Sequence, residues 1–123
     1  VIHPSAVISR RSLIGEGCAV NAGVVVSQSA TVEPHVILNR GALIGHDVRV
    51  GSFSTVGPGA NIAGGTQIGA GVYIGAGAVI LDHLKVGTEA LIAAGAVVTR
   101  SVPANSLAAG SPARVIKKGV KGL

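Results

Sequence analysis

The sequence predicts an all-β chain wound into a parallel β-helix shaped like a triangular prism. Three observations predict it. Stepping by six from Ile2 to Val98 meets seventeen positions, every one Ile, Val or Leu, with no break in register. Four residues after each stands a second series, from Ala6 to Val102, almost entirely small or β-branched. The chain holds 19 Gly but only one Phe, one Tyr and no Trp. Its core therefore lacks the aromatics that a globule of this size usually buries.

Parity explains the two series. Six is a multiple of two, the side-chain period of a strand. Each aliphatic and the residue four beyond it thus point the same way, inward. Gly often follows the aliphatic, as in Ile14-Gly15, Ile44-Gly45 and Ile68-Gly69, and suits a bend between short strands. Three hexapeptides close one 18-residue coil. Seventeen make nearly six coils, a prism roughly 27 Å tall at about 4.8 Å per coil. Each coil covers its neighbour and buries the aliphatic column. An amphipathic helix fits poorly, because the period is six and Gly and β-branched residues run throughout. Cys18 falls in the inward series and reads as a small core residue. Asn21 and Asn39 stand 18 apart and are expected to form an amide ladder. His3 and His35 read as turn or surface residues. Residues 1–98 form the helix. Residues 99–123, "SVPANSLAAGSPARVIKKGVKGL", read as a loop and basic tail of the same domain, with a short helix near 112–118.

Net charge is +5, and its placement matters more than its size. Arg100, Arg114, Lys117, Lys118 and Lys121 stand after residue 90 with no acid among them, while the first 89 residues balance. Such a tail suits a phosphorylated small molecule. Without stacking aromatics it is a poor nucleic-acid surface. No apolar run approaches the ~18 residues of a membrane helix, and no signal-peptide pattern is present. One Cys makes no intrachain disulfide. A cytoplasmic protein is expected.

The hexapeptide pattern over residues 2–98 resembles the left-handed β-helix acyltransferases, and the handedness is implied by that resemblance. Residues 95–118, "GAVVTRSVPANSLAAGSPARVIKK", resemble that superfamily's closing segment. "HPSAVIS" at 3–9, "IGHDVRVG" at 44–51 and "PGANIAGG" at 58–65 are similar to one branch, the sialic acid O-acetyltransferases and bacterial amino-sugar N-acetyltransferases. Members of that branch carry an N-terminal nucleotide-sugar-binding domain before the "HPSA" segment. These 123 residues do not include it, so they are expected either to be part of a longer chain or to recognise the acceptor differently.

The resemblance implies an acetyl-CoA-dependent transfer to an amine or hydroxyl of a free or nucleotide-linked sugar, with His46 as general base and Asp47 as the acid beside it. The chemistry fits. The acceptor must lose a proton as it attacks the thioester, and imidazole suits that at neutral pH. Coenzyme A is already the leaving group, so no enzyme nucleophile is required. Gly64 stands 18 residues after His46, one coil above it on the same corner. A Gly there exposes its N–H to a developing oxyanion, and the resemblance points to the same residue. By the same resemblance, the backbone N–H groups of Ala76 and Ala94 hold the pantetheine arm. Arg114, Lys117 and Lys118 are candidates for the coenzyme phosphates. Nine residues after the base many members carry a second histidine that contacts the acetyl group; here it is Thr55. The superfamily places its site between subunits of a homotrimer. No metal is expected.

One further column comes from the repeat. His46-Asp47, Gly64-Gly65 and Asp82-His83 share a corner in successive coils. The two glycines separate two ionisable pairs by about 9.6 Å, and the gap is expected to be a slot for the thioester arm or acceptor. Three other functions compete. The γ-class carbonic anhydrases share this fold but bind zinc through a His-x4-His pair, which His3, His35, His46 and His83 do not supply. Lipid A acyltransferases need an apolar groove that the sequence does not reveal. A non-catalytic β-helix scaffold needs no site at all, and the "GHD" and "AGG" segments speak against it.

Overall fold

Each aliphatic of the six-residue series from Ile8 to Val98 closes a two-residue strand, in a computed structural model that describes residues 1–121. The strands stack into three faces. The first face holds β1 (Val7–Ile8), β4 (Val25–Val26), β7 (Leu43–Ile44), β10 (Asn61–Ile62), β13 (Val79–Ile80) and β16 (Val97–Val98). The second holds β2 (Leu13–Ile14), β5 (Thr31–Val32), β8 (Arg49–Val50), β11 (Gln67–Ile68) and β14 (Lys85–Val86). The third holds β3 (Ala19–Val20), β6 (Ile37–Leu38), β9 (Thr55–Val56), β12 (Tyr73–Ile74) and β15 (Leu91–Ile92). Pairing is parallel with partners 18 residues apart, as in Val7↔Val25 and Thr55↔Tyr73. This is the expected left-handed β-helix of about six coils.

Both inward series do what parity requires. From Val20 to Val98 every aliphatic of the first series is buried, each contributing about 1.5–3 kcal/mol. Ala30, Ala42, Ala60, Ala78 and Ala90 are fully buried in the second series, and Val24, Val36, Val48 and Val72 are buried in the same columns. Ser54 and Thr66 also lie there, and their hydroxyls each donate at 2.8 Å, to the carbonyls of Gly69 and Leu81. That satisfies them without solvent. Cys18 is buried and donates to the Glu33 carbonyl at 3.1 Å. The amide ladder is present, Asn21 Nδ2 donating to Asn39 Oδ1 at 3.1 Å. In the first coil Ile2 is 49% exposed.

The tail corrects one expectation. The helix near 112–118 is absent, and the end of the loop before it is strand. β17 (Ser106–Gly110) extends the third face beside β15, and β18 (Ala113–Lys118) folds back antiparallel on β17. The open edge of the last coil offers unpaired backbone groups, and pairing satisfies them. Val115 and Ile116 are β-branched and favour that outcome. Leu107 pairs with Leu91, 16 residues back rather than 18, so the six-residue register ends here although the sheet does not.

Candidate active site

Three corners join the faces, each turning on a pair of residues per coil. From Gly17 to Gly95 the second residue of the pair takes a left-handed φ, for example 58° at Asp47 and 67° at Gly77. Its N–H donates to the carbonyl of the coil below, as Gly65 does to His46 at 2.9 Å. The first residue's N–H points outward. At Ser52 that outward N–H donates to Glu33 Oε1 at 3.1 Å. This contact, ahead of the Arg49 guanidinium that also binds the carboxylate, holds the Glu33 carboxyl below its usual range. An N–H at this turn position therefore stabilises a negative oxygen.

The corner between the first and second faces carries His46 and Asp47. His46 Nδ1 lies 3.0 Å from Asp47 Oδ2, and both side chains are 65% exposed. With Nδ1–H given to the carboxylate, Nε2 keeps a free lone pair, as a general base requires. The ring leans over Gly64 one coil above, so closely that a methyl group added there would collide with Nε2. The outward N–H of Gly64 has no acceptor among the described residues. An imidazole and a backbone N–H without an acceptor thus stand side by side.

The slot expected in this column is not open. His83 forms a second dyad, Nδ1 lying 3.0 Å from Asp82 Oδ2. Its ring lies on Gly65, where a Cβ would meet Cδ2 at 2.7 Å and Nε2 at 2.8 Å. One ring thus covers each glycine. They lack side chains to make room for imidazoles, not to leave a gap. The His83 ring and then Asp82's own backbone hold the Asp82 carboxyl below the usual range.

The residues expected to hold coenzyme A lie elsewhere on the chain. Ala76 and Ala94 sit on the corner between the third and first faces. Their outward N–H groups are without acceptors among the described residues. Thr55 is on the third face between Ile37 and Tyr73. Arg114, Lys117 and Lys118 are exposed on β18 at the top of that face. This group is separated from His46 and Gly64 by the whole first face, six residues of chain and up to roughly 20 Å. A single chain does not bring the two groups together.

Two features went unnoticed in the sequence. The left-handed position of the third-to-first corner is Gly in five successive coils, at Gly23, Gly41, Gly59, Gly77 and Gly95. A Cβ added at Gly59, Gly77 or Gly95 would meet nothing within 4 Å, so an open groove runs along this edge. The spacing of 18 between these glycines was the available signal. The outward side chains of the first face are the other feature. Val7, Val25, Leu43, Val79 and Val97 are exposed or half-buried there, interrupted by Asn61.

A family model described as bacterial transferase hexapeptide (six repeats) matches residues 65–100. The same repeat runs through the three stacked faces. The chain is a hexapeptide-repeat protein. PerB from Caulobacter crescentus, solved with CoA and GDP-perosamine, is 38% identical to the hexapeptide-repeat chain, with a TM-score of 0.93 over 94% of this chain and 56% of PerB. The acetyltransferase domain of PglB from Neisseria gonorrhoeae, solved with acetyl coenzyme A, is 36% identical (TM-score 0.92; 94% of this chain, 56% of that one). WeeI from Acinetobacter baumannii is 33% identical, with a TM-score of 0.92 over 94% of this chain and 57% of that one. The hexapeptide-repeat chain thus spans little more than half the length of these relatives. No match was found among curated proteins. Among the described residues, no three His, Cys, Asp or Glu side chains are grouped to hold a metal ion, and no helix is long and apolar enough to cross a membrane.

Proposed function

We propose that the chain is an acetyl-CoA-dependent acetyltransferase acting on a nucleotide-linked amino sugar, with His46 as general base. The observation that carries this reading is the Asp47–His46 dyad leaning on Gly64, whose N–H is free. PerB, solved with CoA and GDP-perosamine, and the PglB domain, solved with acetyl coenzyme A, support it. A perosamine N-acetyltransferase from Caulobacter crescentus is similar as well, at 37% identity, which favours an amine over a hydroxyl as acceptor.

The reaction follows from the groups present. The acceptor nitrogen attacks the acyl carbon while His46 Nε2 takes its proton. Asp47 stabilises the imidazolium and keeps the ring oriented. The N–H of Gly64 stabilises the oxyanion of the tetrahedral intermediate. Collapse breaks the C–S bond, and the departing thiolate takes the proton from the imidazolium. Acetylated product and coenzyme A leave, and His46 is again neutral.

The coenzyme's linear arm suits the third-to-first groove, with Ala76 and Ala94 as donors and Thr55, Arg114, Lys117 and Lys118 on the same side. Since His46 lies across the first face, the site is completed by a second copy. The apolar first face supports a homotrimer in which these faces meet, placing His46 of one copy beside the groove of the next. A cytoplasmic location belongs to the same proposal.

The test is thiol release from acetyl-CoA with GDP-perosamine and other nucleotide-linked amino sugars. Release that depends on the acceptor is the expected result. No release with any of them, together with no coenzyme A binding, would favour a scaffold. Gly77→Asn is a companion. Asn tolerates the left-handed φ, nothing blocks its Cβ, and its side chain enters the groove. It should raise the acetyl-CoA KM roughly tenfold, about 1.4 kcal/mol, and leave the fold intact.

A further inference from the structure

The N–H donors along the glycine groove fall into two sets. The upper set is the outward N–H of Ala76 and of Ala94. The lower set is the outward N–H of Ala22 and of Arg40, which likewise meet no acceptor among the described residues. Between the sets stands Pro58, which has no N–H to offer. Around the lower set lies a shallow cavity of about 570 Å³ lined by Ala22, Gly23, Arg40, Gly41, Pro58 and Gly59. Its floor is backbone: a Cβ at Gly41 would approach only Gly59, at 3.9–4.0 Å.

Arg40 is the one charged residue of this cavity. It is exposed, and it pairs with no carboxylate among the described residues, whereas Arg49 on the second face is engaged by Glu33. Its backbone is fixed, because the Arg40 carbonyl accepts from the Gly59 N–H at 3.0 Å. A guanidinium and two outward N–H groups on one open edge make an anion site. A diphosphate fits it, since guanidinium binds phosphate oxygens in pairs.

We propose that this lower groove, through Arg40 and the N–H groups of Ala22 and Arg40, binds the diphosphate of a nucleotide-linked sugar acceptor. The assignment to the acceptor rests on the acetyltransferase reading. The upper donors and the cations of β18 serve the coenzyme, whose own diphosphate belongs at that end. The acceptor then enters from below, and its reacting nitrogen reaches the acyl carbon near Pro58, where no donor competes for it.

The experiment titrates GDP, UDP and coenzyme A separately into the wild type, Arg40→Gln and Arg40→Lys by calorimetry. Arg40→Gln should weaken GDP and UDP tenfold or more and coenzyme A less than twofold. Arg40→Lys should retain part of the affinity. Wild type saturated with coenzyme A should still bind GDP. Arg40 is exposed, so the variants should melt with the wild type. Equal GDP affinity in wild type and Arg40→Gln would overturn the proposal. So would loss of coenzyme A binding in place of GDP binding, or a wild type that binds neither GDP nor UDP. These readouts need no turnover. An Arg40-dependent GDP site in a chain that releases no thiol would sink the acetyltransferase reading and leave the anion site standing.

Discussion

His46→Ala should abolish nearly all acetyl transfer, with kcat falling by roughly 10²–10⁴, the usual contribution of a positioned general base. The acetyl-CoA KM should stay near its wild-type value, because the groove lies on another corner of the chain. Stability should hardly change, since the side chain is 65% exposed and its polar partner is a solvent-exposed Asp47. Stopped-flow thiol release and a melting curve on the same preparation check both halves. A variant that keeps wild-type kcat would remove His46 from the mechanism and leave the dyad as a surface pair.

Gly64→Ala should be nearly as damaging by a different route. Gly64 is outside the left-handed region, so its backbone accepts Ala. The Gly→Ala change even restricts the unfolded chain, worth about 0.4–1 kcal/mol of added stability where the conformation allows it. The added methyl occupies the place of His46 Nε2, and the ring must swing away. Displacing a base by about 1 Å costs on the order of 10² in rate. The signature is therefore a protein that melts at or above the wild-type temperature while kcat falls about a hundredfold. Unchanged turnover would mean that the ring's position over Gly64 has no bearing on the chemistry.

The fold was legible because its rule is short. A period of six is commensurate with the strand period, so which residues face inward followed from counting, and the buried columns from Val20 to Val98 agree. The tail was less legible. Strand or helix over residues 113–118 depends on whether an open sheet edge lies within reach, and that edge belongs to β15 and β17, not to the local sequence. The column His46–Gly64–Asp82 was visible from the 18-residue spacing. The direction in which each ring leans was not, and so an occupied gap looked like a slot. The five-glycine groove shares that spacing, but each of its glycines also fills a left-handed turn position, so spacing alone does not separate a groove from a row of turns. Its meaning appears only where the missing side chains, at Gly59, Gly77 and Gly95, face open space.

The central claim is that one chain supplies the base and another the coenzyme groove. His46→Ala and Gly77→Asn damage opposite halves of such a site. The decisive measurement mixes the two variants, dissociates and reassembles them, and assays thiol release well below the acetyl-CoA KM, where Gly77→Asn alone keeps about a tenth of wild-type activity and His46→Ala almost none. Random reassembly gives about a quarter of the sites an intact His46 beside an intact groove, so roughly a quarter of wild-type activity should return. A mixture that reassembles and shows no more activity than Gly77→Asn alone would contradict a site shared between copies.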